Sequence, residues 1–189
     1  GQSDCVIFPS DYSFEDRFTL AMSLNIFGDD SRRYALLNRI NSYAFEYGQE
    51  GGEYGFEYAI NGPETYVWQS TGIQVEQNQI NDILFVYDGF DIKAYLNNEI
   101  LFTKEASGNI NEVDIQTYIG SCDGESLLGL VDNLMIWDKS LNQQEIESYS
   151  ESDYTVLQDN LVGHYLFNSQ TGNILYDHSG NSNHGTIYG

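Results

Sequence analysis

The sequence predicts an all-β protein, an antiparallel two-sheet jelly-roll sandwich with one short helix at about residues 140–149. Short segments alternate between apolar and polar residues, as strands with one face on a core do. Turn signals separate these segments at regular spacing, and 18 Gly stand against only 2 Pro. A length of 189 residues, with 41% hydrophobic and 14% aromatic residues, suits one domain of sandwich size.

The strands are predicted one by one from these patterns. Every second residue is apolar over residues 18–24, and residues 83–87 are almost continuously apolar, as a central strand requires. Turns are predicted at Asn61-Gly62, Asp88-Gly89 and Asn97-Asn98. The remaining strands are predicted at residues 54–60, 66–69, 92–96, 99–103, 113–119 and 130–137.

One short helix follows the last of these strands. Ser140 is the predicted N-cap, and Gln143 stands three residues later, where it closes a capping box. The helix is expected to end near Tyr149. The polar stretch 150–153 then predicts the start of a linker.

The charge of the chain limits its partners. Lys and Arg number 7 against 29 Asp and Glu, a formal net charge of -22. Such a surface repels phosphate backbones and anionic lipids, which excludes nucleic acid as a partner. No apolar run approaches the roughly 20 residues that span a bilayer, so no membrane insertion is expected. The charge has two interpretations, solubility in salty water or bound calcium.

Two segments resemble parts of one known domain in reversed order. Residues 129–146, GLVDNLMIWDKSLNQQEI, resemble the closing motif of the laminin-G-like, concanavalin A-like lectin and glucanase jelly rolls, whose architecture pentraxins share. Residues 161–189 resemble the opening motif of that family, with the pattern D-x-S-G-N-x-N-H-G at 177–185. The resemblance extends to the early strand at 18–24 and the central hairpin at 86–97. The opening motif is therefore displaced to the C-terminus.

This displacement implies a domain organisation. Residues 1–150 form the jelly-roll core, 151–160 a linker, and 161–189 the displaced opening strand and loop. The strand either folds back to give a permuted monomer or enters a neighbouring chain in head-to-tail exchange. A unit of a tandem array is the third alternative. Because the break falls near the family's first strand, we favour a filament in which the chain is its own partner.

Calcium is the cofactor that the acidic loops favour, because it takes six to eight oxygen ligands. The predicted rim loop contains Asp123 and Glu125 beside a glycine. The resemblance to pentraxins implies a ligand loop at Asn41, and Asp177 with Asn181 forms a second candidate site. The alternative is that these acids only face water.

A sugar-binding surface needs an aromatic platform beside amide or acidic groups. Trp68, with Tyr66 and Gln69, is the candidate. The alternative is that these side chains belong to the core or to a tyrosine-rich face, since the chain contains 15 Tyr.

Catalysis is not expected. Glu112, Asp114 and Gln116 resemble the E-x-D-x-E motif of jelly-roll glucanases, but Gln116 stands where the last glutamate belongs and cannot transfer a proton. His184 lies in the Gly- and Asn-rich loop and is assigned a structural role. No local motif indicates a nucleophile with its base.

The two cysteines, Cys5 and Cys122, lie far apart and match no zinc pattern. They predict a disulfide within one chain or between neighbours, the alternative being two buried thiols. The chain begins without methionine, which is consistent with a processed, secreted form. The expected function is a non-enzymatic extracellular structural or adhesion domain. The alternative is a calcium-dependent lectin module that binds glycans.

Overall fold

The computed structural model describes residues 4–8, 12–27, 33–122, 127–168 and 172–189. Over these residues the chain forms fourteen strands, one α-helix and one 3₁₀ turn, confirming the all-β class with a single short helix. In chain order the strands are β1 (Cys5–Ile7), β2 (Phe18–Ile26), β3 (Tyr34–Arg39), β4 (Tyr43–Gly48), β5 (Gly55–Ile60), β6 (Gln69–Ser70), β7 (Asn81–Tyr87), β8 (Asp91–Leu96), β9 (Glu99–Glu105), β10 (Tyr118–Gly120), β11 (Gly129–Trp137), β12 (Leu161–Tyr165), β13 (Ile174–Leu175) and β14 (Gly185–Tyr188).

The strands form two antiparallel sheets. The larger sheet has the order β13, β14, β1, β10, β3, β4, β5, β6, and the smaller has the order β12, β11, β2, β7, β8, β9. The main apolar cluster contains residues from both sheets, so the core lies between them. This is the jelly-roll sandwich that the sequence predicts.

Alternation along the central strands divides their side chains between two clusters. Phe18, Leu20 and Met22 of β2 enter the core between the sheets, whereas Ala21 belongs to a second cluster on the opposite face. In β7 the residues of 83–87 alternate between the same two clusters. The apolar run of β7 is therefore continuous because both of its faces are covered.

Tyrosines supply much of this core. Tyr43 is fully buried among aromatic rings, and its hydroxyl donates to the carbonyl oxygen of Tyr12 at 2.6 Å. The hydroxyl of Tyr87 likewise donates to the carbonyl oxygen of Gly108 at 2.5 Å. A ring that reaches the edge of the core with a bonded hydroxyl buries apolar area without leaving a polar group unpaired.

The helix α1 (Gln143–Ser150) covers the second cluster. Its N-cap is Asn142, not the predicted Ser140, and the capping box is completed by Glu145 rather than Gln143. Ser140 is not the N-cap because the first helical residue is Gln143 and Asn142, directly before it, has the extended backbone of a cap residue. Trp137 packs against Tyr149 of the helix, with ring centroids 6.3 Å apart, and its Nε1 donates to the carbonyl oxygen of Leu157 at 2.8 Å.

The C-terminal segment extends both sheets of its own chain. In β12, Tyr165 lies opposite Leu134 of β11, and in β14, Tyr188 lies opposite Cys5 of β1. The predicted linker 151–160 contains a 3₁₀ turn (Tyr154–Val156), and Leu157 is fully buried.

Three parts of the strand prediction need correction. Of the strand predicted at residues 66–69, only Gln69 lies in a strand, β6. Residues 113–117 are a loop, and β10 begins only at Tyr118. In this loop the carbonyl oxygen of Val113 accepts a hydrogen bond from the side chain of Arg39, through Nη2. The hairpin of β3 and β4 was not predicted. A register shift between Ala35 and Leu37 interrupts the alternation of β3. The sequence of this strand therefore lacks the two-residue period by which strands are predicted.

The predicted disulfide between Cys5 and Cys122 is present within the chain. It joins β1 to the segment that follows β10, the strand with which β1 pairs. No helix in the described part of the chain has the length and apolarity to cross a bilayer.

Candidate functional site

The candidate site lies on the outer face of the larger sheet, over β4 and β5. Glu46 of β4 is directly opposite Glu57 of β5. Their neighbours in each strand point into the core, so both carboxylates point to the outer face. Both are nonetheless covered, with relative exposures of 1% and 0%. Two adjacent buried carboxylates require compensation, because like charges in a poorly hydrated place are costly.

Arg33 compensates the first of them. Its Nε and Nη2 donate to the two carboxylate oxygens of Glu46, at 2.9 and 2.7 Å. The same guanidinium lies over the indole of Trp68, 5.3 Å from the ring centroid. A bidentate pair fixes the orientation of the guanidinium plane, and the plane in turn supports the ring. Trp68 is half-buried, so part of the indole reaches the surface.

Glu57 is compensated by backbone instead. Its two carboxylate oxygens accept hydrogen bonds from the amides of Glu50 and Gly51, at 2.9 and 2.7 Å. A Cβ at Gly51 would lie 2.6 Å from the amide nitrogen of Ser70 in β6, so only glycine permits this approach. Glu57 therefore holds the turn between β4 and β5 against the edge strand.

Two ionisable groups of this site, Glu46 and Tyr66, have a raised pKa. Burial raises the pKa of Glu46 to about 7, although the hydrogen bonds and charge of Arg33 oppose the rise, and Glu57 adds to it. Burial also raises the pKa of the Tyr66 hydroxyl, which the backbone of Asn41 opposes. The charges of Glu46 and Arg33 act on Tyr66 as well, so this tyrosine belongs to the same site.

The structure thus brings Trp68 and Tyr66 together with Arg33 and Glu46, but not Gln69. Gln69 lies opposite Tyr58, a core residue, and its Oε1 accepts a hydrogen bond from Lys104 Nζ at 2.9 Å. It therefore joins the edges of the two sheets.

Three residues of this cluster were not predicted from the sequence, namely Arg33, Glu46 and Glu57. A glutamate between two aromatic residues, as in Phe45-Glu46-Tyr47 of β4 and in the matching segment of β5, is the signal that could have found the two glutamates. No local signal connects Arg33 to them, because the contact crosses between strands.

The predicted calcium ligands have different surroundings. Asp123 and Glu125 lie outside the described residues. Asn41 is exposed with a φ of 66°, and its carbonyl oxygen accepts from Asn61 Nδ2 at 2.7 Å. Among the described residues no group of three or more His, Cys, Asp or Glu is arranged to hold a metal ion. Calcium stays a prediction for this protein.

Asp177 is already fully bonded. Its carboxylate accepts from the amides of His164, Ser179 and Asn183 and from the hydroxyl of Ser179, at 2.8–3.0 Å. Burial alone would raise the pKa of Asp177, but these bonds outweigh it and hold the pKa below its usual value.

Two neighbouring residues complete this loop. Asn181 Nδ2 donates to the carbonyl oxygen of Leu161 at 2.8 Å. His184 Nδ1 accepts from the amide of Asp177 at 3.0 Å, in agreement with its predicted structural role. Asn181 thus fastens the loop of residues 177–184 to β12, and His184 connects the two ends of the loop.

Comparison with known proteins agrees with this architecture. A model of the concanavalin A-like lectin/glucanases superfamily matches residues 1–147, and the chain belongs to this superfamily. The resemblance identified from the motifs is thereby confirmed. No curated protein sequence matches the chain.

Several solved structures share the fold. A candidate carbohydrate-binding protein from Bacteroides ovatus superposes with a TM-score of 0.74 at 14% identity, covering 99% of this chain and 58% of that protein. Domain 4 of an extracellular arabinanase from Geobacillus stearothermophilus, in complex with arabinotriose, has a TM-score of 0.59 at 12% identity, with coverages of 74% and 68%. A heptameric SAP-like pentraxin from Limulus polyphemus has a TM-score of 0.52 at 16% identity, with coverages of 79% and 82%. At these identities the likeness establishes the fold alone.

Proposed function

We propose that this chain is a non-catalytic, extracellular carbohydrate-binding module whose glycan contacts the face formed by Trp68, Tyr66 and Arg33. The observation that carries the proposal is the partly exposed indole of Trp68, which is supported from one side by Arg33, itself held by Glu46. A flat apolar surface fixed beside hydrogen-bond donors suits a sugar ring, which has an apolar face and a rim of hydroxyl groups. Binding then costs little ordering of the site.

The overall charge restricts the class of glycan. A chain with a net charge of -22 repels uronic acids and sulfated sugars over a distance of about one Debye length. Neutral oligosaccharides are therefore the preferred ligands. The arabinotriose complex and the Bacteroides protein support a glycan ligand by likeness of fold, and they favour the lectin alternative over a purely structural role.

The two buried glutamates do not support catalysis. A glycosidase needs one carboxyl group as proton donor and a second as base or nucleophile, both open to the sugar. Glu46 is closed by Arg33, and Glu57 is closed by two backbone amides. Glu112, Asp114 and Gln116 lie exposed on the loop before β10 and not on a strand face. The disulfide is compatible with an extracellular location, where such bonds persist.

Assembly through strand exchange has less support. In the structure β12 and β14 pair with strands of their own chain, so the domain is closed without a neighbour. Exchange would use the same pairings between two chains and stays a hypothesis.

Binding to a panel of neutral oligosaccharides that includes arabinotriose tests the proposal, with titration calorimetry on the glycans that bind. We expect Trp68→Ala to weaken binding at least tenfold, which is about 1.4 kcal/mol, and Trp68→Phe to retain part of it. Phe90→Ala is the matched control, because Phe90 is 73% exposed and lies at the turn between β7 and β8. Equal losses in both alanine variants, or no binding by the unaltered protein, would overturn the proposal.

A further inference from the structure

A second cleft lies on the outer face of the smaller sheet, on the opposite side of the sandwich from Trp68. It is formed by β2, β7 and β11 on one side and by the C-terminal end of α1 on the other. Its volume is about 280 Å³, just below the roughly 300 Å³ at which drug-sized pockets begin. The space suits a ligand about as large as a monosaccharide.

The cleft is negatively charged. Asp82 and Asp132 line it, and no Lys or Arg stands among the described residues that do so. Asp82 accepts a hydrogen bond from the hydroxyl of Ser23, whereas Asp132 is exposed and forms no ion pair within the described chain. The last turn of α1 contains no basic residue either, so its terminal carbonyl groups add negative partial charge.

The cleft also contains buried polar atoms without partners. Asn133 is 7% exposed and Tyr149 is 3% exposed, and both line the cavity. Asn133 donates through Nδ2 to the hydroxyl of Tyr154 at 3.2 Å, but its Oδ1 accepts nothing. The hydroxyl of Tyr149 has no hydrogen bond of normal geometry, although the side chains of Ser23 and Asn133 act on it. Such atoms are costly to leave unpaired, and a ligand that donates hydrogen bonds removes the cost.

We propose that this cleft binds a small hydroxylated organic cation, of which a protonated amino sugar is the simplest example. Its ammonium group lies between Asp82 and Asp132, and its remaining N–H and O–H groups donate to Asn133 and Tyr149. An anion is excluded by the two carboxylates. A bare metal ion fits poorly, because only two carboxylates line a space far larger than one ion.

The test is titration of the whole protein with D-glucosamine, protonated at its amine, followed by backbone amide shifts in NMR. N-acetylglucosamine has the same ring without the charge. We expect D-glucosamine to shift the amides around Asp132 and Asn133 and to bind at least tenfold more tightly than N-acetylglucosamine. Asp132→Asn should weaken this binding at least tenfold. Asp114→Asn, the same change on an exposed loop, should leave it unchanged.

Other outcomes overturn the proposal. Equal binding of both sugars would show that the charge is not recognised, and tighter binding of calcium at these residues would make the cleft a metal site. The absence of shifts near Asn133 would mean that only water occupies the space. Trp68→Ala should not change glucosamine binding, which separates failure of this site from failure of the proposed glycan surface.

Discussion

The side-chain hydroxyl groups of Tyr12 and Tyr165 are hydrogen-bonded to each other inside the core, although the two residues are 153 positions apart in sequence. The Tyr165 hydroxyl also donates to the carbonyl oxygen of Asn183 at 2.7 Å, so Tyr12 is the donor of the shared bond. Burial raises the pKa of both hydroxyls, which therefore stay protonated. This chain of bonds joins the C-terminal segment to the N-terminal part of the sandwich.

We predict that Tyr165→Phe lowers the free energy of unfolding by about 1–3 kcal/mol, because it removes the hydrogen bonds that the Tyr165 hydroxyl forms with the Tyr12 hydroxyl and with the carbonyl oxygen of Asn183. Urea unfolding measures the change. In a double-mutant cycle, Tyr12→Phe should cost less once Tyr165 is already Phe. Tyr188→Phe, at a tyrosine that is 51% exposed, is the control and should have little effect. Additive costs in the cycle would contradict the coupling.

Removal of residues 154–189 should destroy the fold. The truncated chain loses Leu157 from beneath Trp137 and exposes the edges of β11 and β1, which are paired in the structure. We expect aggregation, or a chain without a cooperative thermal transition in circular dichroism. A folded truncated monomer with an unchanged assembly state would show that the segment is dispensable.

A circular permutant provides the positive counterpart of this deletion. Tyr188 lies directly opposite Cys5, so the two ends of the chain can be joined by a short linker. A chain that begins at Asp153, continues through Gly189 into Gly1 and ends at Ser152 should fold with a similar melting temperature. Failure of this permutant while the unaltered chain folds would mean that the order of the segments matters beyond their contacts.

Stability should depend on pH through Glu46. Because burial raises its pKa to about 7 from an ordinary value of 4.5, the folded state keeps a proton that the unfolded chain has released between these values. Stability therefore falls as the pH rises through this window. Each unit of difference in pKa corresponds to about 1.4 kcal/mol, so the difference of roughly 2.5 units predicts a contribution of about 3 kcal/mol.

The Glu46→Gln variant isolates this effect. Between about pH 5 and pH 8 its free energy of unfolding should fall less than that of the unaltered protein, because the titrating group is gone. Other acidic residues also repel one another as the pH rises, so the difference between the two slopes is the relevant quantity. Glu112→Gln, on an exposed loop, should keep the original slope. Parallel slopes for all three proteins would refute the assignment.

Calcium bound by Asp123 and Glu125 should stabilise the folded state by mass action. Removal of metal with an excess of chelator is then expected to lower the melting temperature, and added calcium should restore it. The variant with both residues changed to their amides should melt at the lower temperature in either condition. An unchanged melting curve, with no metal found by elemental analysis, would count against the site.

The sequence determined the features that depend on local pattern. The two-residue alternation of β2 and the apolar run of β7 were enough to predict strands, because each side chain reports which face of its own strand is buried. The order of the two family motifs likewise indicated a displaced opening strand. The helix was predicted, but its N-cap lies two residues later in the structure than predicted. Asn142 and Glu145 form the capping box and so provide hydrogen-bond partners for the free backbone amides of the first turn.

Other features were decided only by the tertiary structure. Trp68 was predicted from the sequence as the aromatic platform of a sugar-binding surface, but Arg33 and Glu46, which support its ring, come from two segments distant from it in sequence. The unpaired oxygen atoms of Asn133 and Tyr149 could not be predicted from the sequence, because tertiary packing determines which polar groups lose contact with water. The periodicity of the sequence within a strand determines which face of the strand each side chain occupies. The residues that this face contacts come from distant strands, and no local sequence pattern specifies those contacts.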